Sequence, residues 1–352
     1  MSPSCTIVRH LILPVLALLA LLAPGASAEV QSPAATLRIW SATDTAAMTG
    51  IIAGFKARYP AIAVEYTEFN TSELYEAVAA AAQDGPDLVI SSAMDLQVRL
   101  VNRGYAAPVR VPGPGPDGAR WRDELFGFTS EPVVVVYDQE AFKGRPLPST
   151  RSELAGMIRD DPGFFDGRIG TYDIVQSGVG YMFAAQDAQR GYQSSRLVES
   201  LGRAHAKTYC CTADMVNAVA GGDLVLAYNV IGSYARALAT GDRHLRILLL
   251  NDYTLVFSRT VFLSKRSTQQ AAGASFITFL LSPEGQSIIE TRSSLFPLLP
   301  PGPESQSYFA EISRGATSLL PIRMRPGLLT WLDDMKKASF VREWTSSISG
   351  PR

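Results

Sequence analysis

Apolar positions along the chain switch between strand-like runs and helical spacing, and the order of the switches predicts an α/β fold. Leu37-Arg38-Ile39-Trp40 has the form of a short strand; Met48, Ile51, Ile52, Phe55 and Tyr59 then recur at helical spacing until Pro60 closes the pattern. Ser41, Ala42, Thr43 and Asp44, between the two, supply capping residues for that helix. Residues 61–66 read as a second strand, Thr71-Ser72-Glu73 opens an Ala-rich helix to Gln83, and Pro86–Ser91 (PDLVIS) reads as a buried third strand. A further helix runs from Met94 and ends before Gly104. Strands alternating with helices in this way predict βαβ units and a doubly wound, parallel sheet.

The pattern then restarts. Residues 126–138 (FGFTSEPVVVVYD) and 245–256 (LRILLLNDYTLV) contain strands that bracket a second α/β segment. Its predicted parts are strands over 168–174, 207–211 and 224–228, with helices over 180–189 and 212–220. After Val256 the chain reads as mostly helical, over 269–281, 283–290 and 327–344. Ser282, Pro283 and Glu284 suit the cap and first turn of the middle one, an architectural role. The expected organisation is two lobes on an interrupted chain. Residues 29–130 and 256–352 form the first, with the C-terminal helices, and residues 131–255 form the second. Crossing strands near 131–137 and 249–256 would be the hinge. Such a hinge puts a cleft at the C-terminal ends of both sheets, where helix N-termini favour an anion.

Composition narrows the class. A chain of 352 residues with 47% hydrophobic positions has ample material for buried cores, and a formal charge of −1 carries no nucleic-acid footprint. The start is uneven: Arg9 precedes the apolar run Leu11–Leu22, and Ala26-Ser27-Ala28 follows with small residues. This reads as a signal peptide over residues 1–28, cleaved after Ala28, and predicts export to the periplasm. Its removal takes away Cys5 and leaves Cys210 and Cys211. Adjacent cysteines bridge badly, so the alternatives are a strained vicinal disulfide, a reactive pair or, the reading favoured, two inertly buried small hydrophobes. Gly113, Gly115 and Gly118 match G-x-G-x-x-G literally, but the prolines among them and the lack of a following helix exclude a dinucleotide loop. No G-x-S-x-G, H-E-x-x-H, G-K-[ST] or Cys/His zinc spacing occurs, so neither an enzyme nor a bound cofactor is expected.

The motifs in their order, PDLVISSAMD (86–95), EPVVVVYD (131–138), GDLVLAYNVIGSYA (222–235) and FLLSPEGQ (279–286), resemble periplasmic solute-binding proteins of ABC importers. The likeness is to the group labelled ferric-iron or phospho-sugar binding, and it extends over nearly all of the chain after the leader. It implies a two-lobed type II binding-protein fold that closes over a small solute. The implied partners are that solute and an inner-membrane permease, or a sensor kinase for which the protein acts as co-receptor. A monomer that binds no nucleic acid is expected.

Candidate ligand residues follow from strand ends. Ser41, Thr43 and Asp44 sit where the first strand meets its helix, either as caps alone or with hydroxyls and N–H groups that hold a ligand anion. Ser91 and Ser92 follow the third strand, where hydroxyls and amides hold phosphate or carboxylate without a buried charge. Glu131, at the hinge, is read either as a structural acceptor or as a partner for hydroxyls or an ammonium. Thr171, Tyr172, Ser177 and Gly178 resemble the second lobe's ligand loop, where glycine lets the backbone approach and the next helix offers N–H groups. Tyr228 and Asn229 occupy the end of the predicted strand 224–228 and the position after it. Ferric-binding relatives carry adjacent tyrosines there; Tyr-Asn instead favours an organic, polar, anionic solute (sugar phosphate, phosphonate or carboxylate) over Fe(III). Only six lysines accompany many arginines, so no single Arg stands out from sequence.

Overall fold

Leu37 and Ile39 are fully buried while Arg38 and Trp40 are partly exposed, and this alternation seeds the first of two sheets. The computed structural model describes residues 35–81, 84–113, 115–298 and 318–349; the predicted leader, Met1–Ala28, lies outside them. β1 (Ala35–Ser41) pairs in parallel with β2 (Ile62–Glu68) and with β3 (Leu88–Ser91). α1 (Thr45–Arg58) joins β1 to β2 and buries Met48, Ile51 and Phe55 completely, each such side chain contributing ~1.5–3 kcal/mol. α2 (Thr71–Ala80) follows β2, and α3 (Met94–Asn102) follows β3. Helix α2 is opened by Asn70 in a capping box with Glu73. Short strands β4 (Ala106–Ala107), β5 (Arg120–Trp121) and β6 (Leu125–Gly127) complete this edge.

The run 126–138 is not one strand. β6 stays in the first sheet, whereas β7 (Glu131–Asp138) belongs to the second, so residues 128–130 cross between them. The second half then winds through α4 (Arg151–Asp160), α5 (Pro162–Phe165), β8 (Ile169–Tyr172), α6 (Gly178–Ala188) and α7 (Tyr192–Arg203). It continues with β9 (Lys207–Tyr209), α8 (Thr212–Ala220), β10 (Leu226–Ile231) and α9 (Gly232–Ala239). The run 245–256 likewise divides, into β11 (Leu245–Leu248) and β12 (Thr254–Phe257), both antiparallel to β7. β13 (Thr260–Ser264) then recrosses to pair antiparallel with β3. Both sheets are therefore mixed; the purely parallel expectation fails because each crossing returns a strand in the opposite sense.

α10 (Gln270–Leu281) and α11 (Pro283–Arg292) pack on α1, with Phe55 edge-to-face against Phe276 and Phe279. Ser282 caps α11 as expected, its hydroxyl accepting the Gly285 N–H. The expectation that 256–352 belongs wholly to the first lobe needs correction at its C-terminal end. β14 (Leu319–Pro321) pairs with β12 in the second sheet, and a 3-10 helix (Pro326–Leu332) leads into α12 (Asp334–Ser349), which packs against α7. The physical reason is apolar: Trp344 and Ile348 join the core of the second half, a destination that helical periodicity alone does not encode. Among the described residues no helix is long and apolar enough to cross a membrane.

The halves touch through α3. Leu96 packs so closely on Gly178 that a Cβ there would lie 2.7 Å from its methyl, and Arg99 pairs with Asp334. Beside them Asp95 is buried, its pKa pushed up to about 7 by burial against the opposing effects of the Leu96 N–H, Lys337 and Arg99. A raised carboxyl stabilises the fold fully below its unfolded value of 3.8 and loses that contribution as pH rises towards 7. Asp95→Asn should therefore exceed wild type in stability at pH 8, by on the order of 2–4 kcal/mol, with the gap fading near pH 4. Urea titrations at the two pH values check this.

Candidate functional site between the two sheets

Six strand-to-helix loops converge where the two sheets face each other. Those after β1, β2 and β3 come from the first half, and those after β8, β9 and β10 from the second. They enclose a cleft of about 80 Å³, walled by Asp44, Phe69 and Ser92 on one side and by Tyr172, Ser177 and Thr212 on the other. The first turns of α6 and α8 border it, so partial positive charge faces the cleft. Ser177 caps α6 by accepting the Gly180 N–H, and Thr71 reaches across from the first half to accept the Val179 N–H. The α8 cap, Cys211, contributes no side-chain bond to its helix.

At the floor of the cleft lies Arg259, which the sequence reading passed over. It sits between β12 and β13, on one of the crossings, and is completely buried. Its Nε donates to Glu131 Oε1 at 2.7 Å, and its Nη1 to Thr43 Oγ1 at 2.9 Å. Ser233 donates its hydroxyl to the other Glu131 oxygen. Burial opposes the charge on Arg259, but Glu131 and the Tyr234 ring 5.0 Å away offset it, holding the guanidinium pKa above its ordinary value. Its Nη2 is buried and has no hydrogen-bond partner among the described residues, although Arg259 lines the cleft. Only tertiary structure reveals this: five fixed donors and three elements converge on one residue among many arginines.

The predicted residues divide accordingly. Ser92, Tyr172 and Ser177 line the cleft, and Gly178 forms the contact with Leu96. The hydroxyl of Tyr172 is bonded to Thr212, and burial raises its pKa. Ser41 and Ser91 are turned inward: their hydroxyls accept the N–H groups of Thr43 and Ala93, each closing a local turn. Thr43 serves Arg259, and Glu131, fully buried, has both oxygens occupied, so neither is free for solute. Thr171 lines a different cavity.

Tyr228 and Asn229 are also displaced from the cleft. β10 extends to Ile231, three residues beyond the expected strand end, so these two lie in mid-strand. Tyr228 donates to Asp187 Oδ2 at 2.8 Å and accepts from Arg151 Nε at 2.6 Å, while Asn229 donates to the same Asp187 oxygen at 2.9 Å. Asn229 carries a φ of 63°, a conformation Asn tolerates, where the register with β7 shifts. This network backs a larger cavity of about 140 Å³ among α6, α7 and α12. Size alone does not make that cavity the site, since it lies within the second half and its Asp187 is fully paired. Cys210 and Cys211, expected to be inertly buried, are instead half-exposed on the cleft wall and joined to each other as a vicinal disulfide.

Residues 37–292 match the profile of the family described as bacterial extracellular solute-binding protein, and the chain belongs to that family. Its fold is shared with the substrate-binding protein of an ABC transporter from Agrobacterium tumefaciens. That structure aligns at a TM-score of 0.84 and 30% identity, over 92% of this chain and 96% of the other. Iron-bound HitA from Pseudomonas aeruginosa aligns at 0.70 and 18% identity, over 89% and 100% of the two chains. The fructose-6-phosphate-bound periplasmic binding protein AfuA from Actinobacillus pleuropneumoniae aligns at 0.73 and 16%, over 90% and 100%. Among curated protein sequences none matches this chain. The fold is thus the two-lobed type II binding-protein fold, and the protein is the substrate-binding component of an ABC transporter, not an enzyme. Proteins of this class deliver small solutes to a membrane permease.

The hinge pair gives a stability test. Glu131→Ala strands a buried guanidinium and should cost about 3–5 kcal/mol in urea unfolding. The double variant Glu131→Leu with Arg259→Met, which buries no charge, should recover most of that loss.

Proposed function

We propose that the protein captures a small organic anion in the periplasm by closing its two lobes, and presents it to the permease. The observation carrying this reading is Arg259 Nη2, a buried cationic donor without a protein partner in the wall of the interlobe cleft. An unpaired buried donor is costly, and an anionic oxygen of the solute removes that cost on binding. The α6 and α8 N-termini and the Ser92 and Thr212 side chains surround the same space and suit a phosphate, phosphonate or carboxylate. Lobe closure then follows from contact with both halves at once.

A ferric ligand set is less well supported. Tyr228 is engaged by Arg151 and Asp187 away from the cleft, and burial raises its pKa well above the ordinary value, disfavouring phenolate. Among the described residues the grouping able to hold a metal is Cys210, Cys211 and Asp214, and its two sulfurs are bonded to each other.

A thermal-shift panel of sugar phosphates, phosphonates, di- and tricarboxylates, polyamines and Fe(III) tests the reading. Stabilisation by at least one anionic class is expected, with binding lost in the folded Glu131→Leu, Arg259→Met double variant and weakened by about 1–3 kcal/mol in Ser92→Ala. Stabilisation by Fe(III) or polyamines alone would overturn it.

A further inference from the structure

Asp44 is the first residue outside α1 and occupies its N-cap position, yet its side chain makes no cap bond. The N–H of Thr45, the first helical residue, is taken by Glu68 Oε2 at 2.6 Å. Freed from capping, the Asp44 carboxylate faces the cleft and meets the second half, where Tyr234 donates to Oδ1 at 2.8 Å. Tyr234 also accepts the Asp44 N–H at 3.1 Å, so one tyrosine fixes both the backbone and one oxygen of this residue. The remaining oxygen, Oδ2, has no hydrogen-bond partner among the described residues, and Asp44 lines the same cleft as Arg259, whose Nη2 is likewise without one.

The charge count sharpens the point. Arg259 and Asp44 are the charged residues that line the cleft. Glu131 pairs with Arg259 at 2.7 Å and the Asp44 carboxylate also acts on the Arg259 charge, so two carboxylates stand against one guanidinium. The helix N-termini favour an anionic group, while the second carboxylate leaves negative charge at Asp44 that Arg259, already paired with Glu131, does not fully balance. A solute carrying only negative groups leaves that carboxylate facing it as the cleft is desolvated; a solute with an added ammonium pairs with it.

We propose that the solute is zwitterionic, with its anionic group at Arg259 Nη2 and the α6 and α8 N-termini and a protonated amine at Asp44 Oδ2. This assignment rests on the anion-binding reading above and deepens it. It makes Asp44 the residue that selects amine-bearing anions over their neutral-tailed analogues, and Tyr234 the residue that aims it.

Matched ligand pairs test this on the wild-type protein by calorimetry. They are 2-aminoethylphosphonate against ethylphosphonate, 4-aminobutyrate against butyrate, and glucosamine-6-phosphate against glucose-6-phosphate. In at least one pair the amine-bearing member should bind ten-fold or more tightly, and Asp44→Asn should collapse that ratio to within about three-fold while leaving the amine-free member as tight or tighter. Equal or tighter binding of the amine-free members in every pair that binds overturns the zwitterion assignment and leaves the anion reading standing. An unchanged ratio in a folded Asp44→Asn protein also overturns it, since the amine then has another partner. Absence of binding by both members of all three pairs, where a di- or tricarboxylate or another amine-free anion of the thermal-shift panel does bind, overturns the zwitterion assignment and leaves the anion reading standing. Should Asp44→Asn not fold, Tyr234→Phe, which frees Asp44 from its aim, should reduce the same ratio, and an intact ratio there counts against the assignment.

Discussion

The buried pair of Glu131 and Arg259 is the constraint on which the rest of the molecule turns. Each belongs to a different crossing between the halves: Glu131 opens β7 just after residues 128–130, and Arg259 separates β12 from β13. Thr129 ties the crossings together further, its hydroxyl accepting the Arg259 N–H at 2.7 Å and its carbonyl the Ser258 hydroxyl at 2.6 Å. Neither charge is tolerable alone in a fully buried setting, so the pair holds the two crossings in one register. Arg259 also reaches Thr43, just after β1, which brings the crossings and the first half's strand-to-helix loop into one hydrogen-bonded unit. A solute bound to the remaining nitrogen acts on the hinge directly.

Much of the fold was legible because it is local. The helical spacing of Met48, Ile51 and Phe55, the cap at Ser282 and the bounds of α8 at Thr212–Ala220 follow from short-range pattern and capping chemistry. The misreadings are long-range. Where residues 319–349 pack depends on which core takes Trp344 and Ile348, and the apolar stripe reads the same for either. The sequence pattern ends this strand at 228, whereas β10 runs on to Ile231 because Asp187 and Arg151, distant in sequence, satisfy the polar groups of Tyr228 and Asn229.

The site was legible in its loops and less so in its atoms. Ser92, Tyr172 and Ser177 line the cleft because the strand-to-helix positions they occupy are set by topology. Ser41, Ser91 and Glu131 sit at equivalent positions but direct their polar atoms to the protein, a choice made by neighbours a few ångströms away. Arg259 and the free edge of Asp44 were invisible for the opposite reason. What singles them out is a missing partner, and a missing partner is a property of the assembled structure.

This way of building a site also explains how a nearly neutral protein can discriminate among charged solutes. With a formal charge of −1 over 352 residues, the overall field neither concentrates anions nor repels them. Selection must arise from groups at contact distance once water has left. There the cost of an unmatched partner, about 1–3 kcal/mol for a neutral group and more for a charged one, exceeds what one extra apolar contact supplies. A cleft that pre-pays most of its own polar bonds, through Ser177 to Gly180, Thr71 to Val179 and Tyr172 to Thr212, leaves few groups unmatched. The fewer there are, the more each one dictates about the solute. The two in this cleft, linked through Thr43 and Tyr234, carry opposite charge, so a molecule that carries both can match each.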